Sequence, residues 1–386
     1  MQGAERILMV EGSGRGFLSH YAHALALGLH EAGHRVLLMT APCDELAGWP
    51  APFERRTTLT GGIAGWRRLM AETRAFAPQV VHFQWLADPV GAALYVRWAQ
   101  RRGAAVLYTP HNLLPHRGRW MTMPLFRRLY GAFDRIVVRD GAMRWAASEM
   151  LGVDLDRMSM APGSPNIIAH PQAPRRLPAD APARRPGEVR ALHFGHGSPR
   201  KGLEPLLRAL AQLRVPSSLH LVLAGSGVTA GIDARVLEAA RRRLRISVID
   251  RYLEPDEVGG LFQQADLVTM PYAKLCRSPI LDLAAAFRRP VLRTARVEAT
   301  QFEEGRHGLT VEHGDGLGFA SRLIALAAKP RKLRAMREAL EDEPDFAFGV
   351  AALAGRHGAI YERAVSERSG TQRHQPASPR PMIAGE

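Results

Sequence analysis

Residues 191–202 read ALHFGHGSPRKG and run directly into the helical pattern LEPLLRALAQL of residues 203–213. A short apolar run ends at Gly195, a loop of small residues carries Arg200 and Lys201, and an amphipathic helix follows. Open backbone N–H groups, a helix N-terminus and two cations are therefore expected in one place, and all three favour negative charge. The stretch predicts a phosphate-binding turn between a parallel strand and a helix.

The same order of strand, glycine-rich turn and helix opens the chain. RILMVE (residues 6–11) predicts a buried strand, GSGRG (12–16) a loop, residues 17–31 a helix and residues 35–40 the next strand. Further strands are predicted at 79–83, 105–109, 134–138 and 157–161, and then at 189–194, 219–224, 245–249, 267–270 and 290–293. This alternation predicts an α/β protein with two Rossmann-like, doubly wound domains that face a cleft.

The domain boundaries follow from the composition along the 386 residues. The first domain is predicted at 1–170, and the second at 189–345. Between them, HPQAPRRLPADAPARRPGE (170–188) has no usable periodicity, so residues 171–188 are predicted to be a linker. A terminal helix is expected at 346–365, packed back on the first domain, and a disordered tail at 366–386.

Charge and composition restrict the classes of partner. The formal net charge is +15, which favours phosphorylated substrates or anionic lipid headgroups, while no nucleic-acid reader motif is present. Cys43 and Cys276 form no C-x-x-C pair, and no apolar run approaches the roughly 20 residues that span a bilayer. We expect a cytoplasmic protein that associates peripherally with the inner face of the cytoplasmic membrane.

Two segments of the first half combine aromatic residues with paired arginines, WRRLM (66–70) and WMTMPLFRRLY (120–130). Such segments can lie at a lipid interface with the aromatic face down and the cations on headgroups. Ordinary amphipathic helices that pack their apolar side give the same pattern. The sequence leaves both interpretations open.

Several motifs resemble one known family. FGHGSPRKGLEPLLRAL, LVLAGSG and ADLVTMPYAKLCRSPILDLAAAFRRPV resemble the donor-binding domain of GT-B glycosyltransferases in the large group 1 (family 4-like) superfamily. GSGRGFLSHYAHALALGLHEAGHRV, FAPQVVHFQW and LYTPHNLLPH resemble the first domain of that family. The resemblance covers most of residues 6–361.

The resemblance implies a nucleotide-sugar site in the second half. Lys201 aligns with the family lysine that contacts the donor diphosphate, beside Gly195 and Arg200. His196 stands where the family usually has an arginine, so Arg200 is expected to supply that charge. A solvated helix start is the alternative interpretation of Arg200 and Lys201.

The other donor contacts follow from the same resemblance. Ser278 is expected to cap the helix whose first N–H groups contact the diphosphate, and the base is expected near 251–253, with Tyr252 as the candidate. The paired glutamates of the family fall on Leu275 and Leu283, which cannot hydrogen-bond a sugar. Asp282 is the candidate substitute, although it is offset by about 100° around the helix.

The first half supplies the candidate catalytic residues. His111 matches an active-site histidine of the family, with Asn112 and His116 nearby, and a strand-end cap is its alternative role. Asp140 is a candidate general base or, alternatively, a helix N-cap. In the first loop, Gly14 allows close approach of a substrate and Arg15 is a candidate phosphate contact, whereas a simple tight turn is the competing interpretation.

No metal or cofactor is expected. Asp154 and Asp156 superficially resemble the metal motif of a different glycosyltransferase fold, but no other carboxylate cluster supports a divalent ion. His20 and His23 are spaced i, i+3 without a third ligand, which favours packing or surface roles.

The resemblance implies a hexosyltransferase that moves a sugar from a UDP- or GDP-sugar to a glycan or lipid-linked acceptor in exopolysaccharide, capsule or envelope glycan synthesis. Two alternatives remain. One is a nucleotide-sugar epimerase of the same fold, which would need a more acidic cleft. The other is a non-catalytic partner protein, which the leucines at 275 and 283 keep open.

Overall fold

The computed structural model describes residues 5–86, 88–114, 119–163, 165–276, 278–299, 302–343 and 349–373, without the side chains of 119–122 and 371–373. The chain divides into two compact units. Unit 1 comprises Met1–Gly163 and Val350–Glu386, and unit 2 comprises Ser164–Gly349. Each unit contains a parallel sheet with helices, so the predicted doubly wound α/β architecture is confirmed.

Unit 1 contains a seven-stranded parallel sheet in the order β3-β2-β1-β4-β5-β6-β7. Its strands are β1 Arg6–Glu11, β2 Arg35–Thr40, β3 Glu54–Arg56, β4 Val80–Phe83, β5 Ala105–Tyr108, β6 Arg135–Val138 and β7 Met158–Met160. Its first helices are α1 Gly16–Glu31, α2 Gly62–Phe76, α3 Pro89–Gln100, α4 Arg119–Ala132 and α5 Gly141–Leu151. The central strands are apolar on both faces because helices cover both sides of the sheet.

Unit 2 contains a six-stranded parallel sheet in the order β10-β9-β8-β11-β12-β13. Its strands are β8 Val189–Phe194, β9 Leu219–Ala224, β10 Arg245–Ile249, β11 Leu267–Met270, β12 Val291–Thr294 and β13 Gly308–Val311. Its helices are α6 Leu203–Gln212, α7 Ala234–Arg241, α8 Pro255–Gln264, α9 Pro279–Ala286, α10 Gly316–Ala327 and α11 Pro330–Glu341.

The last helix, α12 (Val350–Arg373), belongs to unit 1 and packs on α1. Gly28 makes this contact possible, because a Cβ there would lie 2.1 Å from Val350 Cγ1. The predicted tail at 366–386 begins too early, since the helix continues to Arg373. The apolar residues on which the prediction of this helix rests end before residue 366. Beyond them, Glu367 holds the helix to unit 1 through an ion pair with Arg135 of β6.

The predicted linker, residues 171–188, packs within unit 2, and the division between the units falls at Gly163. Arginines anchor this proline-rich stretch: Arg176 pairs with Asp256 at 3.0 Å, and Arg184 pairs with Asp266 at 2.7 Å. The prediction of a linker at 171–188 is therefore wrong. The sequence did not show these contacts because ion pairs between distant residues leave no periodic pattern.

Candidate functional site

The Lys201 ammonium lies at the carboxyl edge of the unit 2 sheet, beneath the loop that follows β8. Its Nζ donates a hydrogen bond to the Phe194 carbonyl oxygen at 3.1 Å and stands 5.8 Å from the centre of the Tyr272 ring. A Cβ at Gly195 would lie 2.3 Å from Nζ, and Gly195 has φ = +114°, so this position requires glycine twice over. The loop is therefore shaped around a half-buried cation.

Burial also sets the charge state of this lysine. It lowers the pKa of Lys201 to about 8, with Cys276 opposing the shift and the Arg200 guanidinium adding to it. The ammonium is still charged at neutral pH, and an anion placed beside it would raise that pKa. A partly desolvated cation at the end of a parallel strand favours binding of a phosphate oxygen.

The backbone amides of this loop are less open than the sequence suggests. Gly195 N donates to Ala224 O at 2.9 Å, Gly197 N to Ser226 O at 3.0 Å, and Lys201 N to Ser198 O at 2.9 Å. The expectation of open N–H groups is wrong for these three amides. The interlocked glycines explain why, because a Cβ at Gly197 would lie 1.5 Å from Gly227 O. The loop thus contributes cations more than amides, with Arg200 and His196 both exposed.

The segment from β11 to α9 completes the surroundings of Lys201. Ser278 caps α9 by accepting from Ile280 N at 3.4 Å, with Pro279 as the first helical residue. Leu283 is only 3% exposed and lies in the core, whereas Leu275 is 61% exposed. Asp282 is half-buried in the first turn of α9. Of the two positions where the family has glutamates, only the one at Leu275 is accessible to a ligand.

The segment after β10 lies at the same edge. Arg251 bonds the Glu257 carboxylate at 2.8 and 2.9 Å and Asp180 at 3.0 Å, and these hydrogen bonds raise its pKa. Asp250 accepts from Thr229 Oγ1 at 2.6 Å, which lowers the pKa of that carboxyl. Arg251 therefore has a structural role, while the 48%-exposed ring of Tyr252 stands at the surface.

The glycine loop of unit 1 contains a carboxylate that the sequence analysis missed. Glu11, 1% exposed, accepts from Ser13 N at 2.7 Å, Ser13 Oγ at 2.5 Å and Gly14 N at 3.0 Å. Glu45 accepts from Gly16 N at 2.6 Å and pairs with His20 Nε2 at 2.6 Å. The sequence contains one indication of this buried carboxylate, because a glutamate ends the otherwise apolar strand RILMVE.

Three loop amides of unit 1, those of Ser13, Gly14 and Gly16, thus donate to side-chain carboxylates of the same unit. Arg15 is exposed and is the N-cap residue of α1. Within the described residues, its side chain makes no capping hydrogen bond. A phosphate at this loop would have to displace Glu11 or Glu45 and would meet their negative charge. Gly14 and Arg15 remain predictions as substrate contacts.

His111 is 7% exposed and lies just after β5. Its Nε2 stands 3.4 Å from Gln84 Oε1, and its ring meets Phe17 and Tyr21 edge-on. Within the described part of the chain, its buried Nδ1 has no hydrogen-bond partner. Burial, with a smaller contribution from the Arg139 guanidinium, lowers its pKa to about 3. A neutral imidazole of this kind can hydrogen-bond a hydroxyl but is a poor proton acceptor.

The remaining candidates of unit 1 have mainly structural surroundings. Asp140 caps α5 by accepting from Met143 N at 2.7 Å, which is the alternative role expected for it. Asn112 is exposed. His23 lies against Pro50 O and Phe53, consistent with packing. The prediction for His116 lies outside the described residues.

An apolar cavity of about 200 Å³ opens beside the loop after β1 in unit 1. Its walls include Leu59, Trp66, Phe83, Trp85 and Leu86, with Gly61 at the start of α2. Asp88 also lines the cavity, but its carboxylate already accepts from Trp66 Nε1 at 2.8 Å and from the amides of residues 90 and 91. The cavity is larger than the roughly 150 Å³ that holds one benzene ring.

Exposed apolar side chains lie on the helices that border this cavity. Ile63 on α2 is 74% exposed, and Val90 and Leu94 on α3 are 54% and 65% exposed. Within the described ranges, no helix is both long and apolar enough to span a membrane. In the same part of the chain, no group of three or more His, Cys, Asp or Glu could hold a metal ion, and this includes Asp154 and Asp156.

Comparison with known proteins shows which family this chain resembles. The model of Glycosyltransferase Family 4 matches residues 18–164, and the model of Glycosyl transferases group 1 matches residues 188–329. The chain belongs to the group 1 family of GT-B glycosyltransferases. Together the two matches include every strand of the unit 2 sheet and every strand of the unit 1 sheet except β1.

The curated relatives cover only part of the group 1 chain. A GDP-mannose:glycolipid 4-beta-D-mannosyltransferase of Xanthomonas campestris pv. campestris is 29% identical over 208 residues. The match includes 54% of this chain and 55% of the relative, so the chain spans about half the length of the curated relatives it matches.

Solved structures share the fold over nearly the whole chain. HepE of Anabaena, in complex with UDP and glucose, is 17% identical with a TM-score of 0.67 and covers 93% of this chain and 100% of its own. A glycosyltransferase of Rickettsia africae is 16% identical with a TM-score of 0.66 and covers 94% of this chain and 99% of its own. At these identities the comparison supports the fold.

Proposed function

We propose that this group 1 protein transfers a hexose from a UDP- or GDP-sugar to a glycan or lipid-linked acceptor. The observation that carries the proposal is the position of Lys201, a half-buried ammonium at the carboxyl edge of a doubly wound sheet. Ligands of such sheets bind at this edge. The Xanthomonas relative named for GDP-mannose and a glycolipid supports the same classes of donor and acceptor.

In the proposed reaction the bond between the anomeric carbon and the β-phosphate oxygen breaks. The electron pair stays on the departing diphosphate, the acceptor hydroxyl oxygen bonds to the anomeric carbon, and its proton is released. Negative charge grows on the β-phosphate, and Lys201 and Arg200 stabilise it electrostatically. Tyr252 would stack on the base, and Ser278 would fix the start of α9 beside the diphosphate. No metal or cofactor is assigned to any step.

Unit 1 would bind the acceptor. Neutral His111 would hydrogen-bond an acceptor hydroxyl rather than remove a proton. The apolar cavity would take the hydrocarbon end of a lipid-linked acceptor, because Asp88, its lining carboxylate, is already occupied by Trp66 and two amides. Exposed Ile63, Val90 and Leu94 would extend that contact to the membrane surface, with Arg67 and Arg68 on anionic headgroups. This arrangement suits polysaccharide assembly at a membrane.

The test is donor consumption with a panel of UDP- and GDP-sugars, followed by free UDP or GDP release and by product mass. We expect one donor to be consumed faster when a lipid-linked saccharide is present. Binding of a nucleotide sugar without consumption of any donor would favour the non-catalytic partner that Leu275 and Leu283 keep open. Interconversion of the free donor sugar would favour an epimerase.

A further inference from the structure

A second cavity, of about 390 Å³, lies at the amino edge of the unit 2 sheet, at the opposite strand ends from Lys201. The starts of β8, β11 and β12 and the first two turns of α11 border it. Its charged lining consists of Arg184, Glu188, Asp266, Arg289, Arg334 and Arg337, and we call it the arginine pocket. Four arginines face two carboxylates, which leaves an excess of positive charge.

Both carboxylates already have several partners. Asp266 accepts from Arg184 at 2.7 and 2.9 Å and from the Arg190 amide at 2.8 Å. Glu188 accepts from Arg190 Nε at 2.5 Å, and Arg245 and His220 also bind it. Asp266 therefore neutralises Arg184 of the pocket, and Arg337 pairs with Glu341 at 3.0 Å. The unbalanced positive charge of the pocket is that of Arg289 and Arg334.

Arg289 is the buried cation of the pocket, at 7% exposure. Its Nη2 donates to Gln263 O at 3.0 Å, while its buried Nε has no hydrogen-bond partner among the residues that the structure describes. Burial and, to a smaller extent, the nearby Arg337 guanidinium lower its pKa to about 10, with Asp266 and Glu341 opposing the shift. The preceding residue, Arg288, has φ = +57°, a strained conformation for a side-chain-bearing residue. The turn after α9 holds this guanidinium in place despite its unfavourable surroundings.

We infer that the arginine pocket binds a small multivalent oxyanion, phosphate or diphosphate, at a site separate from the one at Lys201. A planar guanidinium with a free Nε–H can bind such an oxygen pair in a bidentate fashion. The cavity lies in the usual size range of ligand pockets. The N-terminus of α11, which starts at Pro330 without a side-chain cap, adds a favourable dipole.

The test uses pyrophosphate and the full chain in a Lys201→Ala background, which separates the arginine pocket from the proposed donor site. Arg334→Gln/Arg337→Gln removes two exposed pocket arginines. Arg331→Gln/Lys332→Gln removes two exposed charges from the same helix outside the pocket and is the matched control. By titration calorimetry we expect the first pair to weaken pyrophosphate binding by about tenfold or more, and the control pair by less than about twofold.

Three outcomes would overturn the inference. They are no pyrophosphate binding in the Lys201→Ala protein, equal loss in both double variants, and an unchanged affinity in Arg334→Gln/Arg337→Gln. Phosphatidylglycerol vesicles form a further arm, because a lipid headgroup carries the same chemistry. Both double variants should bind the vesicles equally; vesicle binding lost only in the pocket variant, with pyrophosphate affinity unchanged, would assign the pocket to a headgroup and overturn the free-anion proposal.

Discussion

The glycine loops after β1 and β8 have the same local pattern and opposite electrostatics. Each follows a buried strand, and each leads towards a helix. In unit 1 the loop amides of Ser13, Gly14 and Gly16 donate to Glu11 and Glu45. In unit 2 the space beneath Gly195 is filled by the Lys201 ammonium.

This difference teaches that a glycine-rich turn specifies a backbone shape and leaves the ligand charge open. Glu11, at the end of β1, provides the first loop with a carboxylate that already accepts from its amides. One residue in the second loop, Lys201, supplies a cation whose hydrogen bond within the described residues is to a carbonyl oxygen. We therefore propose that unit 2 binds the donor diphosphate and that the loop of unit 1 meets a neutral part of the substrate.

The largest expected effect is that of Lys201→Ala on donor turnover. Removal of a charge that stabilises the leaving group should lower kcat by about 100-fold or more, because such contacts act mainly in the transition state. Lys332→Ala, which removes an exposed lysine of α11, is the charge-matched control and should leave kcat unchanged. Equal kcat values for the two variants would contradict the role of Lys201 at the leaving diphosphate.

Glu11→Ala should destabilise unit 1 by about 3 kcal/mol, since buried amides at Ser13 and Gly14 lose a charged acceptor. All six tryptophans lie between residues 49 and 145, so fluorescence during urea unfolding reports unit 1 alone. Glu11→Gln, which keeps one acceptor oxygen, should lose less. A loss below about 0.5 kcal/mol for Glu11→Ala would mean that the loop does not depend on its carboxylate.

Acid should destabilise unit 1 more than unit 2. Burial lowers the pKa of His111 to about 3 and of His357 to about 4, and places that of His82 well below its usual value. The unfolded chain, with histidine pKa near 6.5, then binds more protons, so stability falls as the pH drops below about 6.5.

Each of these histidines accounts for at most about 2 kcal/mol at pH 5. Unit 2 contains His193, with its pKa lowered to about 3 by burial, and the more modestly lowered His220. Urea unfolding at pH 7 and pH 5, followed by tryptophan fluorescence for unit 1 and by residual far-UV ellipticity for unit 2, checks the order. A larger acid effect on unit 2 would contradict this prediction.

The smallest expected effect concerns the apolar cavity of unit 1. Gly61→Phe places a ring at a lining position where a Cβ meets nothing within 4 Å, so the cavity is obstructed without backbone strain. Binding of n-decyl phosphate, followed by quenching of Trp66 and Trp85, should weaken by about tenfold. Gly48→Phe, an equally open glycine of unit 1, should leave the affinity unchanged. Equal affinities would exclude the cavity as an apolar subsite.

The strands that could be predicted are those with a continuous apolar run. Arg6–Glu11, Arg35–Thr40, Val189–Phe194 and Arg245–Ile249 have the predicted limits. The strands Glu54–Arg56 and Gly308–Val311 were missed because they are short and their sequences, ERR and GLTV, contain no continuous apolar run. The arginine-anchored segment 171–188 was missed because ion pairs between distant residues leave no periodic pattern.

The position of a candidate residue was predictable only where a motif fixed both the residue and its surroundings. Lys201 and Ser278 could be named because they stand at a strand–helix turn and at a helix start. Glu11 could not, since its partners depend on a loop conformation. The state of His111 also depends on burial by Phe17 and Tyr21 and on the charge of Arg139, all distant in sequence.

The most direct measurement is a crystal structure of the protein soaked with UDP and, separately, with GDP. We predict a β-phosphate oxygen about 3 Å from Lys201 Nζ, with Glu11 still bound to the amides of Ser13 and Gly14. A diphosphate bound at the loop of residues 12–16, with Glu11 displaced and Lys201 still on the Phe194 carbonyl, would contradict it.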